Sequence, residues 1–131
     1  MNGGLGPLTS DASHGCLNDL FEYQVDLHPD SVAVISPRRS LTYADLDMEA
    51  SRLSRLLREQ GAGPGTFVGI CFARSELPII SILACLKAGS AYVPLEPAFP
   101  DERLRFIIDE AEIAIVLTEA RFRERIASLC K

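Results

Sequence analysis

Few residues in this 131-residue sequence are placed to do chemistry. A nucleophile needs a nearby base, and that base must be oriented by a third group. The two histidines do not supply one. His14 lies beside Ser10 and Ser13 in a Gly- and Ser-rich stretch, and His28 precedes Pro29. Both read as solvated. The carboxylate pairs Asp19 with Glu22, Asp45 with Asp47, and Asp109 with Glu110 fall on helix faces and read as solvated surface. Cys16, Cys71, Cys85 and Cys130 form no CxxC pair, and most of them lie far from the histidines, so no zinc ligand set emerges. Cys71 and Cys85 sit in apolar runs and read as small core residues.

Phosphate chemistry fares no better. Gly61-Ala62-Gly63-Pro64-Gly65-Thr66 is the one glycine-rich loop. A phosphate cradle follows a strand and opens a helix, so that helical N–H groups face the anion. Here a helical pattern precedes the loop and a strand pattern follows it. The loop reads as a plain helix-to-strand turn. No catalytic, cofactor-binding or metal-ligating residue is therefore assigned.

The elements that would position such residues are nevertheless well marked. Leu17, Leu20, Phe21 and Gln24 follow helical spacing up to His28-Pro29. Residues 31–36 and 40–42 read as two short strands around the turn Pro37-Arg38-Arg39. Thr42-Tyr43-Ala44-Asp45 resembles a capping box with aspartate in the usual Glu or Gln position. The helix it opens turns Leu46, Ala50, Leu53 and Leu57 to one face and stops at Gly61.

Residues 67–72 form an unbroken apolar run, the pattern of a strand covered on both faces. A helix follows, capped by Ser75 or a neighbour, with Pro78 in its first turn, Lys87 in its last and Gly89 at its stop. It is apolar nearly all round, which predicts burial. Residues 91–93 read as a buried three-residue strand before a loop set by Pro94, Pro97 and Pro100. Residues 101–111 are helical, 114–117 extended and 119–130 helical. The resulting fold class is α/β: a parallel sheet with crossover helices in a Rossmann-like three-layer arrangement, plus an N-terminal β-hairpin.

Composition sets outer bounds. With 47% hydrophobic and 24% charged residues the chain is globular. A net charge of -5 with scattered arginines offers nucleic acid no basic face. The longest apolar run, residues 77–86, is half of the ~20 residues that span a bilayer. Residues 1–16 read as a flexible leader without signal-peptide character, residues 17–131 as one domain portion, and the cytoplasm as the location.

Two stretches are more specific than any of these patterns. The first is Leu41-Thr42-Tyr43-Ala44-Asp45-Leu46; the second is Leu86-Lys87-Ala88-Gly89-Ser90-Ala91-Tyr92-Val93-Pro94-Leu95-Glu96-Pro97. Their local chemistry is structural: a capped helix start with an aromatic anchor, then a helix stop, a strand and a rigid loop. Together they resemble the first and second core motifs of nonribosomal peptide synthetase adenylation domains, members of the AMP-forming acyl and aminoacyl ligase superfamily. Asp45 stands for that family's glutamate and Glu96 for its aspartate, so charge is kept at both positions. Leu20-Phe21-Glu22, His28-Pro29-Asp30, Arg74-Ser75 and Phe99-Pro100 before Glu102-Arg103-Leu104 fit the surrounding text.

The resemblance implies a partial N-terminal subdomain of an adenylation domain. Such domains use ATP and Mg to convert an amino or acyl acid to an acyl-adenylate. They then pass the acyl group to a carrier-protein phosphopantetheine thiol. It also implies that the ATP-phosphate loop, the substrate pocket and the C-terminal subdomain with its catalytic lysine fall beyond this sequence. Lys87 belongs to the second motif and is neither functional lysine. Three readings follow: a portion inactive alone, an interaction piece that complements a separately encoded remainder, and a small free-standing α/β binding domain.

Overall fold

In a computed structural model the described residues are 16–130, in the order α1 (Cys16–Leu27), β1 (Val32–Ile35), β2 (Ser40–Thr42), α2 (Tyr43–Glu59), β3 (Phe67–Cys71), α3 (Leu77–Ala88), β4 (Ala91–Pro94), α4 (Asp101–Glu110), β5 (Ile115–Thr118) and α5 (Arg123–Leu129). The expected leader lies outside the described residues, apart from Cys16 at the head of α1. β1 and β2 pair antiparallel as a separate hairpin. The other three strands form a parallel sheet in the order β4-β3-β5.

β3 is the middle strand. Val68, Gly69 and Ile70 pair with Tyr92, Val93 and Pro94 on one side and with Ile115, Val116 and Leu117 on the other. Alternation along β3 divides the core into two layers. Val68 and Ile70 pack against Leu57 of α2 and Ala84, Cys85 and Ala88 of α3. Cys71, on the opposite face, joins Leu104 and Ile108 of α4 and Ile126 and Leu129 of α5. Each fully buried leucine of this kind contributes ~1.5–3 kcal/mol relative to exposure. A third cluster, Leu41, Leu46 and Ile80, fastens the hairpin and the head of α2 to α3.

Gly69 marks a close approach within β3. A Cβ there would come 2.8 Å from Leu95 Cδ1 and 3.3 Å from Val116 Cγ2, so the loop after β4 and strand β5 both lean on the space it leaves.

Three expectations need correction. β4 is an edge strand: Ala91 and Pro94 are exposed and only Tyr92 and Val93 are half-buried, because β3 flanks it on one side alone. α3 is buried along Ile80, Ser81, Ala84, Cys85 and Ala88, but Ile79 is exposed and Ile82, Leu83 and Leu86 are half-open. Its apolar circumference exceeds the surface that α2 and the sheet cover. The last helix does not begin at residue 119. Glu119 is extended, Ala120–Phe122 form a 3-10 turn, and α5 starts at Arg123.

Candidate functional site

The two specific stretches meet in space. Thr42 is the N-cap of α2: its Oγ1 accepts from the Asp45 N–H at 3.1 Å, and Asp45 Oδ2 accepts from the Thr42 N–H at 3.3 Å. This reciprocal capping box orients α2 so that Leu41 and Leu46 reach Ile80 of α3. Tyr43 lies against Phe21 of α1, ring centroids 6.3 Å apart.

From the other stretch, Lys87 points back at the same place. Its side chain is 10% exposed, and Nζ lies 2.7 Å from Asp47 Oδ1 and 2.5 Å from Glu22 Oε2. The same ammonium stands over the Phe21 ring at 5.6 Å. Burial works against its charge, but hydrogen bonds to Asp47 and Glu22 outweigh that and raise its pKa above the ordinary lysine value. Lys87 therefore fastens α1, α2 and α3 together. Asp47 and Glu22, expected as solvated surface, are its partners; the expectation missed them because a helical wheel does not show which neighbour a face will meet.

The remainder of the second stretch shapes the chain. Leu86 lies half-open above α1, and Ala88 is buried. Gly89 adopts φ 81° and closes α3, a conformation that costs a side-chain-bearing residue ~1 kcal/mol or more. Ala91 and Tyr92 enter β4, and Leu95 buries itself over β3 after donating its N–H to the Ile70 carbonyl at 2.8 Å. Glu96 is exposed. Pro97 offers its carbonyl to Arg125 Nη1 at 2.7 Å, while Arg125 Nη2 donates to the Phe99 carbonyl and Nε to Asp101 Oδ1. One guanidinium thus holds the proline loop at three points, a task suited to its planar fork of donors.

A second polar network escaped the sequence reading. Glu76, at the N-cap of α3, has a fully buried side chain. Its Oε2 accepts from Arg39 Nε at 2.8 Å and Arg38 Nη2 at 3.0 Å, and Arg39 also grips both oxygens of Glu49. Burial pushes the Glu76 carboxyl up, but its own backbone N–H together with Arg39 and Ser36 outweighs this and holds the pKa at about 2. The hairpin turn is thereby tied to α2 and α3. Two adjacent arginines in a tight turn were the available signal, but no local pattern names a partner 37 residues away.

In an open parallel sheet, ligands bind beyond the carboxyl ends of the strands where the connections diverge. Here that place lies between the ends of β3 and β5. The chain occupies it with its own groups: Glu119 Oε2 accepts from the Ala73 N–H at 2.7 Å, and Thr118 Oγ1 donates to the Cys71 carbonyl at 2.6 Å. The glycine-rich loop is also closed on itself. Thr66 Oγ1 accepts from the Gly63 N–H at 2.8 Å and donates to the Gly63 carbonyl.

Several clefts remain open, two of them lined mainly by apolar residues. One of about 380 Å³ is lined by Phe72, Pro78, Ile82, Tyr92, Glu96 and Phe99. The other, about 430 Å³ and almost wholly apolar, runs between α1 and α3 and is lined by Leu17, Leu20, Phe21, Ile79, Leu83 and Leu86. Neither brings a nucleophile and a base together. Among the described residues no group of three or more His, Cys, Asp or Glu is placed to hold a metal ion. Cys71 and Cys85 are buried free thiols; burial raises both pKa values, that of Cys85 to about 11, so neither is a ready thiolate. His28 is exposed. No described helix is long and apolar enough to cross a membrane.

Comparison with known proteins accounts for the two stretches. A family model described as AMP-binding enzyme matches residues 21–131. The chain is 43% identical over 121 residues to polyketide synthase PksN of Bacillus subtilis (strain 168), covering 92% of this chain and 2% of that protein. It is 46% identical over 110 residues to zwittermicin A synthase ZmaJ of Bacillus cereus, covering 84% of this chain and 21% of that protein. Among solved structures, the nonribosomal peptide synthetase FmoA3 in an alpha-methyl-L-serine-AMP bound form superposes with a TM-score of 0.79 at 34% identity, over 83% of this chain and 12% of that one. The chain thus spans only a small part of each of these proteins.

Proposed function

Because the chain belongs to the AMP-binding enzyme family, we propose that it is the opening structural portion of an amino-acid-activating adenylation domain and forms no adenylate alone. The observation that carries this reading is where the two family stretches spend their polar groups. Thr42, Asp45 and Lys87 are engaged in capping and in fastening helices.

ATP and Mg, which the family resemblance implies for a complete domain, do not fit the residues present. The glycine-rich loop lies ahead of a strand and its Thr66 is bonded to Gly63, while Glu119 already holds the Ala73 N–H. No step of adenylate formation, and none of transfer to a phosphopantetheine thiol, is derived from this chain's residues. Its part is to supply three strands, the hairpin and the packed helices on which a complete domain would be built.

ATP-dependent pyrophosphate exchange tests the proposal. The purified 131-residue chain is expected to give no exchange with any amino acid. Exchange above background would overturn it.

The second reading, a piece that complements a separately supplied remainder, draws on surface. Leu17, Leu20 and Ile79 are exposed around the apolar cleft between α1 and α3, an arrangement that favours cover by another polypeptide. Co-purification with the rest of a synthetase would support it, and a monomer that binds no apolar dye would count against it.

A further inference from the structure

We propose that the polar groove between α1, α2 and the end of α3 is a binding site for the phosphate group of a small soluble molecule, held by Arg55, Arg58 and the buried hydroxyl of Ser54. The inference stands apart from the reading of the chain as one portion of a larger domain.

The groove encloses about 270 Å³. Ser51, Ser54, Arg55 and Arg58 follow the i, i+3, i+4, i+7 spacing that puts them on one face of α2. Asn18 of α1 and Lys87 of α3 line the same space. Its volume lies below the ~300–1,000 Å³ of pockets that enclose a whole drug-sized ligand, so it suits one charged group.

Charge and hydrogen-bonding capacity are left over there. Lys87 is spent on Glu22 and Asp47. Neither Arg55 nor Arg58 pairs with a carboxylate among the described residues. With Glu22 and Asp47 counted against all three cations, one positive charge remains in excess. Arg58 Nη2 donates to the Lys87 carbonyl at 2.5 Å, which anchors that guanidinium across the groove with further N–H donors unused. Ser54 is 2% exposed, yet its Oγ has no hydrogen-bond partner among the described residues. A buried hydroxyl left in that state is costly, and an anion in the groove would relieve it. The amide oxygen of Asn18 is likewise without a partner, and a half-turn of the amide presents its NH2 instead.

The donors point to a tetrahedral oxyanion. Two guanidiniums, a hydroxyl and an amide approach from two helices, more directions than a planar carboxylate fills. The net charge of -5 opposes an extended anionic surface such as a membrane, whereas a small phosphate meets only the local field.

Titration of the 131-residue chain with inorganic phosphate, at constant ionic strength set with chloride, tests the site by 1H–15N NMR. Saturable shifts are expected at the Arg55 and Arg58 Nε–H signals. Arg55→Gln is expected to weaken binding at least about tenfold, because it removes a charge-assisted donor from an exposed position where folding is not at stake. Ser54→Ala is expected to weaken binding about threefold and leave the chain folded, since it deletes an unpartnered hydroxyl. Arg52→Gln, one turn away and outside the groove, is expected to leave binding unchanged. Shifts that never saturate would overturn the inference. So would equal losses from Arg52→Gln and Arg55→Gln, which would reduce the effect to diffuse surface charge. Arg55-dependent sedimentation with phosphatidic acid vesicles, without saturable binding of inorganic phosphate, would assign the arginines to a lipid surface and also overturn it. The readout needs no turnover, so pyrophosphate exchange by the chain would sink the functional reading alone.

Discussion

Lys87 and Asp47 form an ion pair at 2.7 Å that joins the helix whose last turn begins the second family stretch to the helix opened by the first. Asp47 directly follows Leu46, and Lys87 lies in the last turn of α3, so one contact fixes how two signature segments sit together.

Removing that ammonium is expected to destabilise the fold. Lys87→Met keeps the apolar stem but strands Asp47, and a hydrogen bond to a charged group contributes ~1.5–3 kcal/mol. Glu22 is 45% exposed, so Glu22→Gln is expected to cost less than ~1 kcal/mol. The raised Lys87 pKa also means that the contribution is complete below pH 10.5 and is lost as pH rises through the folded value. Urea denaturation at pH 7 and pH 11 measures both effects; a Lys87→Met chain as stable as the parent would contradict the role.

Glu76 governs the acid side. Its ordinary pKa of 4.5 falls to about 2 in the fold, so its contribution is full above 4.5 and disappears as pH drops toward 2. Glu76→Gln is expected to be less stable at neutral pH and to show a flatter stability profile across that window. A profile parallel to the parent's would remove Glu76 from the account.

Thr42 and Asp45 are expected to behave as one unit. Thr42→Ala should cost ~1 kcal/mol, and adding Asp45→Ala should cost less than the sum of the two single changes, because each side chain caps through the same box. A double-mutant cycle in urea checks this, and strict additivity would mean the box does not act reciprocally.

Glu112 offers a gain. It is the only non-glycine among the described residues with positive φ, at 52°, where the chain leaves α4. Glu112→Gly should raise stability by up to ~1 kcal/mol by removing the left-handed penalty, less the extra freedom glycine gives the unfolded chain. A lower thermal midpoint would show that the Glu112 side chain contributes more than its backbone strain costs.

The elements and their order were legible because they rest on local signals. The Thr42–Asp45 box, the Gly89 stop and the apolar run of β3 each act within a few residues, and each stands where the sequence places it. What failed were statements about neighbours. The strand at Tyr92 was expected to be buried, yet apolarity cannot say whether a strand is central or at an edge. The helix expected from residue 119 starts only at Arg123; Glu119 is extended and accepts from the Ala73 N–H, a contact between strand ends that periodicity does not encode. The partners of Lys87, Glu76 and Arg125 were unreadable for the same reason: each pair is made by topology.

The Glu119 contact carries one more consequence. A carboxylate tethered one side chain away from the Ala73 N–H acts as a resident ligand whose effective concentration is in the millimolar range or higher. A free anion at micromolar concentration would have to evict it before reaching the ends of β3 and β5. In this chain the usual mouth of a parallel sheet is stoppered from within.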